Sequence, residues 1–127
     1  MNVYIICSVR KANEKYRNNL EKYVRELEEE GHKVHLPHRD TDQNARGIDI
    51  CKQNREATVW ADEIHIFFSG DSTGSHFDLG MAFVLNKKIL VVENEKYGEG
   101  KSFAKMIDEW EDYQLIDEQK LSNNKWV

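Results

Sequence analysis

Residues 69–78, SGDSTGSHFD, gather groups that can do chemistry. Gly70 and Gly74 let a backbone approach a ligand closely. Ser72, Thr73 and Ser75 add hydroxyls, and Asp78 adds a carboxylate. The stretch follows an apolar run, EIHIFF, and leads into a run with helical spacing. A helix starting here would offer free N–H groups and the positive end of its dipole, which together suit a phosphate or carboxylate. Ser72, Gly74 and Ser75 are therefore candidate anion-binding residues. A plainer reading stands beside this one. Ser75 and Asp78 have the spacing of a capping box, which accounts for both with no ligand.

Two other polar stretches follow apolar runs. CSVRKAN supplies Ser8 and Arg10, and HRDTD supplies Arg39 and Asp40. A lone arginine is usually solvated, and a charged loop usually lies on the surface. Ser8 and Arg10 gain weight because their loop should open into the same crevice as residues 69–75. His35 and His38 have no carboxylate or cysteine partner at ligating spacing, so neither a metal nor another cofactor is expected. Tyr4, inside an apolar run, reads as core on pattern alone. Trp60, Trp110 and Trp126 read as packing or interface residues.

These loops need elements to hold them. VYIIC (3–7) has the continuous apolar character of a central parallel strand. Further strands are expected at 33–37, 63–68 and 87–93, with a fifth at YQLID (113–117). Tyr16, Leu20, Tyr23, Val24 and Leu27 share one face of a first helix, and Gly31 is its stop signal. Residues 38–46 read as loop. Helices are expected over 47–60, with Ile48, Cys51 and Ala57 inward, over 75–85, and over 100–113. This alternation predicts a single α/β domain spanning 1–127. Its core would be a doubly wound, flavodoxin- or Rossmann-like parallel sheet of four to five strands with flanking helices. In such sheets ligands sit beyond the carboxyl ends of the strands, where the three polar stretches fall.

The bulk properties set limits. The chain has 127 residues, 39% hydrophobic and 32% charged, enough for one domain with its own core. Its net charge of -5 and pI near 5.5 argue against a nucleic-acid polymer as partner. A mean hydropathy of -0.75, with no run near the roughly 18 apolar residues of a spanning helix, argues against a membrane. The N-terminal apolar run is too short for a secretory signal. Two cysteines, Cys7 and Cys51, suggest a reduced, cytoplasmic protein.

VYIICSVR, LPHRDTD, DICKQNREATVWADEIHIFF and STGSHFDLGMAFVLNKKILVV, in this order and spacing, resemble the nucleoside 2-deoxyribosyltransferase family. Within it they resemble the branch of deoxynucleoside 5′-monophosphate N-glycosidases. The resemblance covers about residues 3–110. It implies a parallel α/β fold, a small-molecule nucleoside or nucleotide partner, and a homodimer or larger homo-oligomer. It also implies cleavage of an N-glycosidic bond by a carboxylate nucleophile. By position, Asp78 stands for that nucleophile and Tyr4 for the tyrosine that hydrogen-bonds it. Ser8 and Arg10 stand for the grip on the 5′-phosphate, and Ser72 marks the monophosphate branch. Several positions depart from the family. Asp78 replaces a glutamate, shortening its reach by about 1 Å, which is enough to cost on the order of 100-fold unless the backbone compensates. Asn54 replaces an aspartate and cannot act as a general acid or base. His76 replaces a small residue and is expected to narrow the site. Ala104 falls nearest the serine that the branch borrows from a neighbouring subunit, with Ser102 close by. Two functional readings follow. One is a glycosidase or transferase of adjusted geometry, suited to a cationic leaving group. The other is a binder, a sensor or sponge, that holds a nucleotide or nucleotide-derived signal intact.

Overall fold

The computed structural model describes residues 1–8 and 13–116. Four strands, β1 (Asn2–Ile6), β2 (Lys33–His35), β3 (Glu63–Phe67) and β4 (Lys88–Glu93), form one sheet in the order β2-β1-β3-β4. Every neighbouring pair is parallel. The helices are α1 (Glu14–Glu29), α2 (Pro37–Asp40), α3 (Gly47–Trp60), α4 (Thr73–Val84) and α5 (Phe103–Ile116). The chain steps from β1 outward to β2 and then back across to β3. The strand order therefore reverses between β1 and β3, where a crevice opens at the carboxyl ends.

Side-chain alternation along the strands builds two cores. Val3, Ile5 and Cys7 point to one face, packed with Leu20 and Val24 of α1. Tyr16, Tyr23 and Leu27 flank them, as the helical spacing predicts. Tyr4 and Ile6 point to the other face, with Ile64 and Ile66 of β3. That face is covered by Ala57 of α3, Leu79 and Ala82 of α4, and Ala104, Ile107 and Trp110 of α5.

The structure corrects several expectations. YQLID is not a fifth strand: residues 113–116 continue α5, and Asp117 lies outside the described residues. Residues 38–46 are not all loop, since Pro37 starts the short helix α2, where its missing N–H costs nothing. Ile48 is exposed rather than inward, whereas Ala57 is buried and Cys51 is half-buried.

Among the described residues β4 is an edge of the sheet, and α5 closes it with side chains. Gln114 accepts from the Ile89 N–H at 2.9 Å and donates to the Lys87 carbonyl at 2.8 Å. Glu111 accepts from the Val91 N–H. These bonds occupy main-chain groups that would otherwise template pairing with another chain. The Lys87 ammonium donates to the carbonyls of Val59 and Ala61, capping the end of α3. Gln114→Leu should leave the buried Ile89 N–H unsatisfied, costing about 1–3 kcal/mol. A lower urea midpoint with an unchanged slope would show this; an unchanged midpoint would mean that water replaces the amide.

Candidate active site

A cleft of about 420 Å³ opens at the strand-order reversal. Its floor is Cys7 and Ser8, following β1. One wall is Asp71, Ser72, Thr73, Gly74, Ser75 and Asp78, at the start of α4. The facing wall is Pro37, Gln43, Ile50 and Asn54, from α2, the loop after it, and α3.

The pair at its centre joins two elements far apart in sequence. The Tyr4 hydroxyl, from β1, donates to Asp78 Oδ2, from α4, at 3.1 Å. Tyr4 is fully buried and Asp78 is 8% exposed. Burial pushes the Asp78 carboxyl up to about 6, partly opposed by the Tyr4 hydrogen bond. Burial and the adjacent carboxylate push the Tyr4 phenol far above its ordinary value, so it stays a donor. The same two causes push the Cys7 thiol up to about 12, which leaves it unreactive at neutral pH. Asp78 thus keeps one oxygen on Tyr4 and lines the cleft. A carboxylate so placed can attack an electrophilic carbon or take a proton.

The local sequence explains the α4 wall. Helix α4 begins at Thr73, two residues earlier than expected, and Ser72 is its cap. Ser72 Oγ accepts from the Ser75 N–H at 3.2 Å and from the Ser75 hydroxyl at 2.8 Å. The capping box at Ser75 and Asp78 is therefore not formed. Asp78 is freed for Tyr4, and Ser75, 1% exposed, supports Ser72. With both lone pairs engaged, the Ser72 hydroxyl is left to donate its own proton. The first N–H groups of α4, at Thr73 and Gly74, precede the first intrahelical bonds and are equally suited to an anion.

Two contacts brace this wall from behind. The Gly70 N–H donates to Glu95 Oε1 at 2.5 Å. His76 Nδ1 meets the Ser72 carbonyl at 2.7 Å, its ring edge-on to Phe68 and Phe103. His76 therefore does not narrow the cleft; it lines a separate cavity behind the loop, together with Ser102 and Ala104.

The structure brings Tyr4, Ser8, Asn54, Ser72, Gly74, Ser75 and Asp78 together. Arg10 lies outside the described residues. Arg39 and Asp40 belong elsewhere. Arg39 pairs with Asp40 and with Glu28 at 2.8 Å and donates to the Val34 carbonyl at 2.9 Å. Asp40 also accepts from the Leu36 N–H at 2.9 Å. They hold the turn after β2 and line other surfaces. Sequence reasoning missed Pro37, Gln43 and Ile50 as lining residues. For Pro37 and Gln43 the signal was position, beyond β2 at the crevice end of the sheet; Ile50, inside α3, gave none.

No family model and no curated protein matches the chain. Among solved structures, it is similar to the CMP N-glycosidase BcmB of Clostridium botulinum, at 21% identity over 88% of this chain and 81% of that one, with a TM-score of 0.60. It is also similar to the 2-deoxyribosyltransferase of Bacillus psychrosaccharolyticus, at 21% identity over 95% and 96% of the two chains, with a TM-score of 0.63. What is shared at this identity is the fold, the flavodoxin-like fold of nucleoside deoxyribosyltransferases.

The raised Asp78 value has a consequence for stability. A carboxyl whose folded value exceeds its unfolded one stabilises the fold below the unfolded value, 3.8, and loses that contribution as pH rises through about 6. At neutral pH the native state therefore carries a buried charge. Asp78→Asn should remove this cost while still accepting from Tyr4, gaining at most on the order of 3 kcal/mol at pH 7.5. The gain should shrink toward pH 4. Denaturant melts of both proteins at the two pH values would check it, and a gain independent of pH would assign it to packing.

Proposed function

We propose that this chain is an N-glycosidase or N-(deoxy)ribosyltransferase acting on a nucleoside 5′-monophosphate or a related nucleotide. The observation that carries this reading is the buried Tyr4–Asp78 pair, set in a cleft whose α4 wall also suits a phosphate. The shared fold supports it, since one similar structure is a CMP N-glycosidase and the other a 2-deoxyribosyltransferase.

In the proposed first step an Asp78 oxygen bonds to the anomeric carbon. The bond from that carbon to the base nitrogen breaks, and its electron pair leaves with the base. The result is a glycosyl ester on Asp78. In the second step water, or a second base, adds to the anomeric carbon and the ester C–O bond breaks. The Asp78 carboxylate is restored and the proton of the attacking water passes to solvent. Tyr4 orients the carboxylate and stabilises its charge each time it reforms. Ser8, the Ser72 hydroxyl and the first N–H groups of α4 hold the 5′-phosphate, with Arg10 assigned to the same anion. Asn54 supplies no proton. A base that is already cationic in the nucleotide, or that takes its proton from water, therefore fits this cleft best.

Phe77 and Val84, exposed and seven residues apart on one face of α4, support a homodimer. The two free cysteines accord with a cytoplasmic setting, and among the described residues no helix is long and apolar enough to cross a membrane.

Mass spectrometry of the protein incubated with nucleosides, nucleoside 5′-monophosphates, NAD and cyclic ADP-ribose-type signals tests the activity. Free base should appear with wild type and fall at least ~100-fold in Asp78→Ala. Turnover should rise with pH through about 6, as the carboxylate forms. An intact ligand recovered stoichiometrically, with no base released, would instead identify a sensor or sponge. Val84→Glu should shift the oligomer toward monomer in light scattering, and an unchanged mass would remove α4 from the interface.

A further inference from the structure

The wall facing α4 carries two amides, and each is held from behind. Thr41, 4% exposed, donates its hydroxyl to Asn54 Oδ1 at 2.9 Å. A hydroxyl has one proton, so the 2.8 Å contact between Thr41 Oγ1 and His35 Nε2 requires His35 to donate. The chain of donors runs from His35 Nε2–H to Thr41 to Asn54. It fixes the Asn54 amide with its oxygen turned back into the protein. Its NH2 group, which meets no other described residue, is left for the cleft that Asn54 lines. His35 is itself packed perpendicular to the Tyr4 ring, with the ring centroids 5.4 Å apart. Burial keeps the His35 imidazole neutral at pH 7, and with the Thr41 proton on Asn54 Oδ1 its single ring proton sits on Nε2.

Gln43 is oriented the opposite way. Its Nε2 donates to the Pro37 carbonyl at 2.9 Å, leaving Oε1 as the atom available to the cleft. The wall therefore presents one fixed donor, Asn54 Nδ2, and one fixed acceptor, Gln43 Oε1. Pro37 and Ile50 supply apolar surface beside them. The α4 wall, with its hydroxyls and free N–H groups, suits an anion. The amide wall suits the edge of a flat heterocycle.

We infer that Asn54 and Gln43 read the base of the bound nucleotide by its donor and acceptor order, and that His35 and Thr41 are positioning residues that set this code. The inference rests on the reading of the cleft as a nucleotide site. Bases with an oxo group and a ring N–H present the reverse order from bases with an amino group and a bare ring nitrogen. A wall of fixed polarity pairs with one order and leaves unpaired groups with the other.

The test is the ratio of dissociation constants, by calorimetry, within two ligand pairs, UMP against CMP and IMP against AMP. Wild type should discriminate within at least one pair by about 10-fold or more. Thr41→Val removes the hydroxyl, frees the Asn54 amide to turn over, and should bring that ratio close to one. Thr41→Ser restores the hydroxyl and should restore the ratio. A merely structural role for Thr41 would weaken all four ligands together and leave the ratio unchanged, which would overturn the inference. Equal binding of both members of each pair by wild type would also overturn it. Should Thr41→Val fail to fold, Asn54→Asp keeps the Thr41 bond but replaces the donor with an acceptor. It should abolish or reverse the preference, and an unaltered preference would again overturn the inference. If none of the four nucleotides binds wild type, the nucleotide reading itself fails, and the code falls with it.

Discussion

The arrangement of the cleft depends on one buried hydrogen bond, from Tyr4 in β1 to Asp78 in α4. A carboxylate 8% exposed, on the inner face of a helix, would be a liability without a partner. Tyr4 supplies one donor and no charge. The carboxyl is therefore kept available to ionise near neutral pH without being neutralised by a cation. The sheet makes this possible. Alternation along β1 sends Tyr4 to the face covered by α4, while its neighbours Val3 and Ile5 pack against α1.

Around this pair the cleft is stiffened from outside. Glu95 holds Gly70, and His76 holds the Ser72 carbonyl between the rings of Phe68 and Phe103. Thr41 and His35 hold Asn54, and Pro37 holds Gln43. Each cleft group so held has one bond directed away from the cleft, which fixes what remains to meet a ligand. Sites on loops gain precision in this way, because the supporting contacts set rotamers that the loop backbone alone would leave free.

The residues that depart from the pattern of the family this sequence resembles acquire physical meaning in this setting. His76, in place of a small residue, braces the loop instead of filling the cleft. Asn54, where the resemblance would place an acid, accepts from the Thr41 hydroxyl, and an amide exchanges no proton near neutral pH. Asp78 is shorter than glutamate, but it arises from the second turn of a helix whose first turn lines the same cleft. Backbone and carboxylate are thus placed together.

The fold was legible in the sequence because burial imposes periodicity. The continuous runs at 3–7 and 63–68 and the stripe through Tyr16, Leu20 and Val24 needed only local spacing to be read. So did the site wall at 72–78, where hydroxyls, glycine and carboxylate lie within one loop and one helix turn. Local spacing failed where a choice depended on distant partners. YQLID has strand-like residues, yet Gln114 is needed by the β4 edge, which holds it in α5. Ser75 and Asp78 match a capping box, yet Ser72 takes the cap and Tyr4 takes Asp78. Arg39 and Asp40 look like ligand-binding charges until folding sets them against each other and Glu28. The sequence by itself determined the layers and the end of the sheet at which the cleft opens, because both follow from hydrophobic period and chain order. Only the tertiary structure decided which polar groups are spent on each other and which are left for a ligand. A hydrogen bond is settled by the groups that meet in space, whatever their separation along the chain.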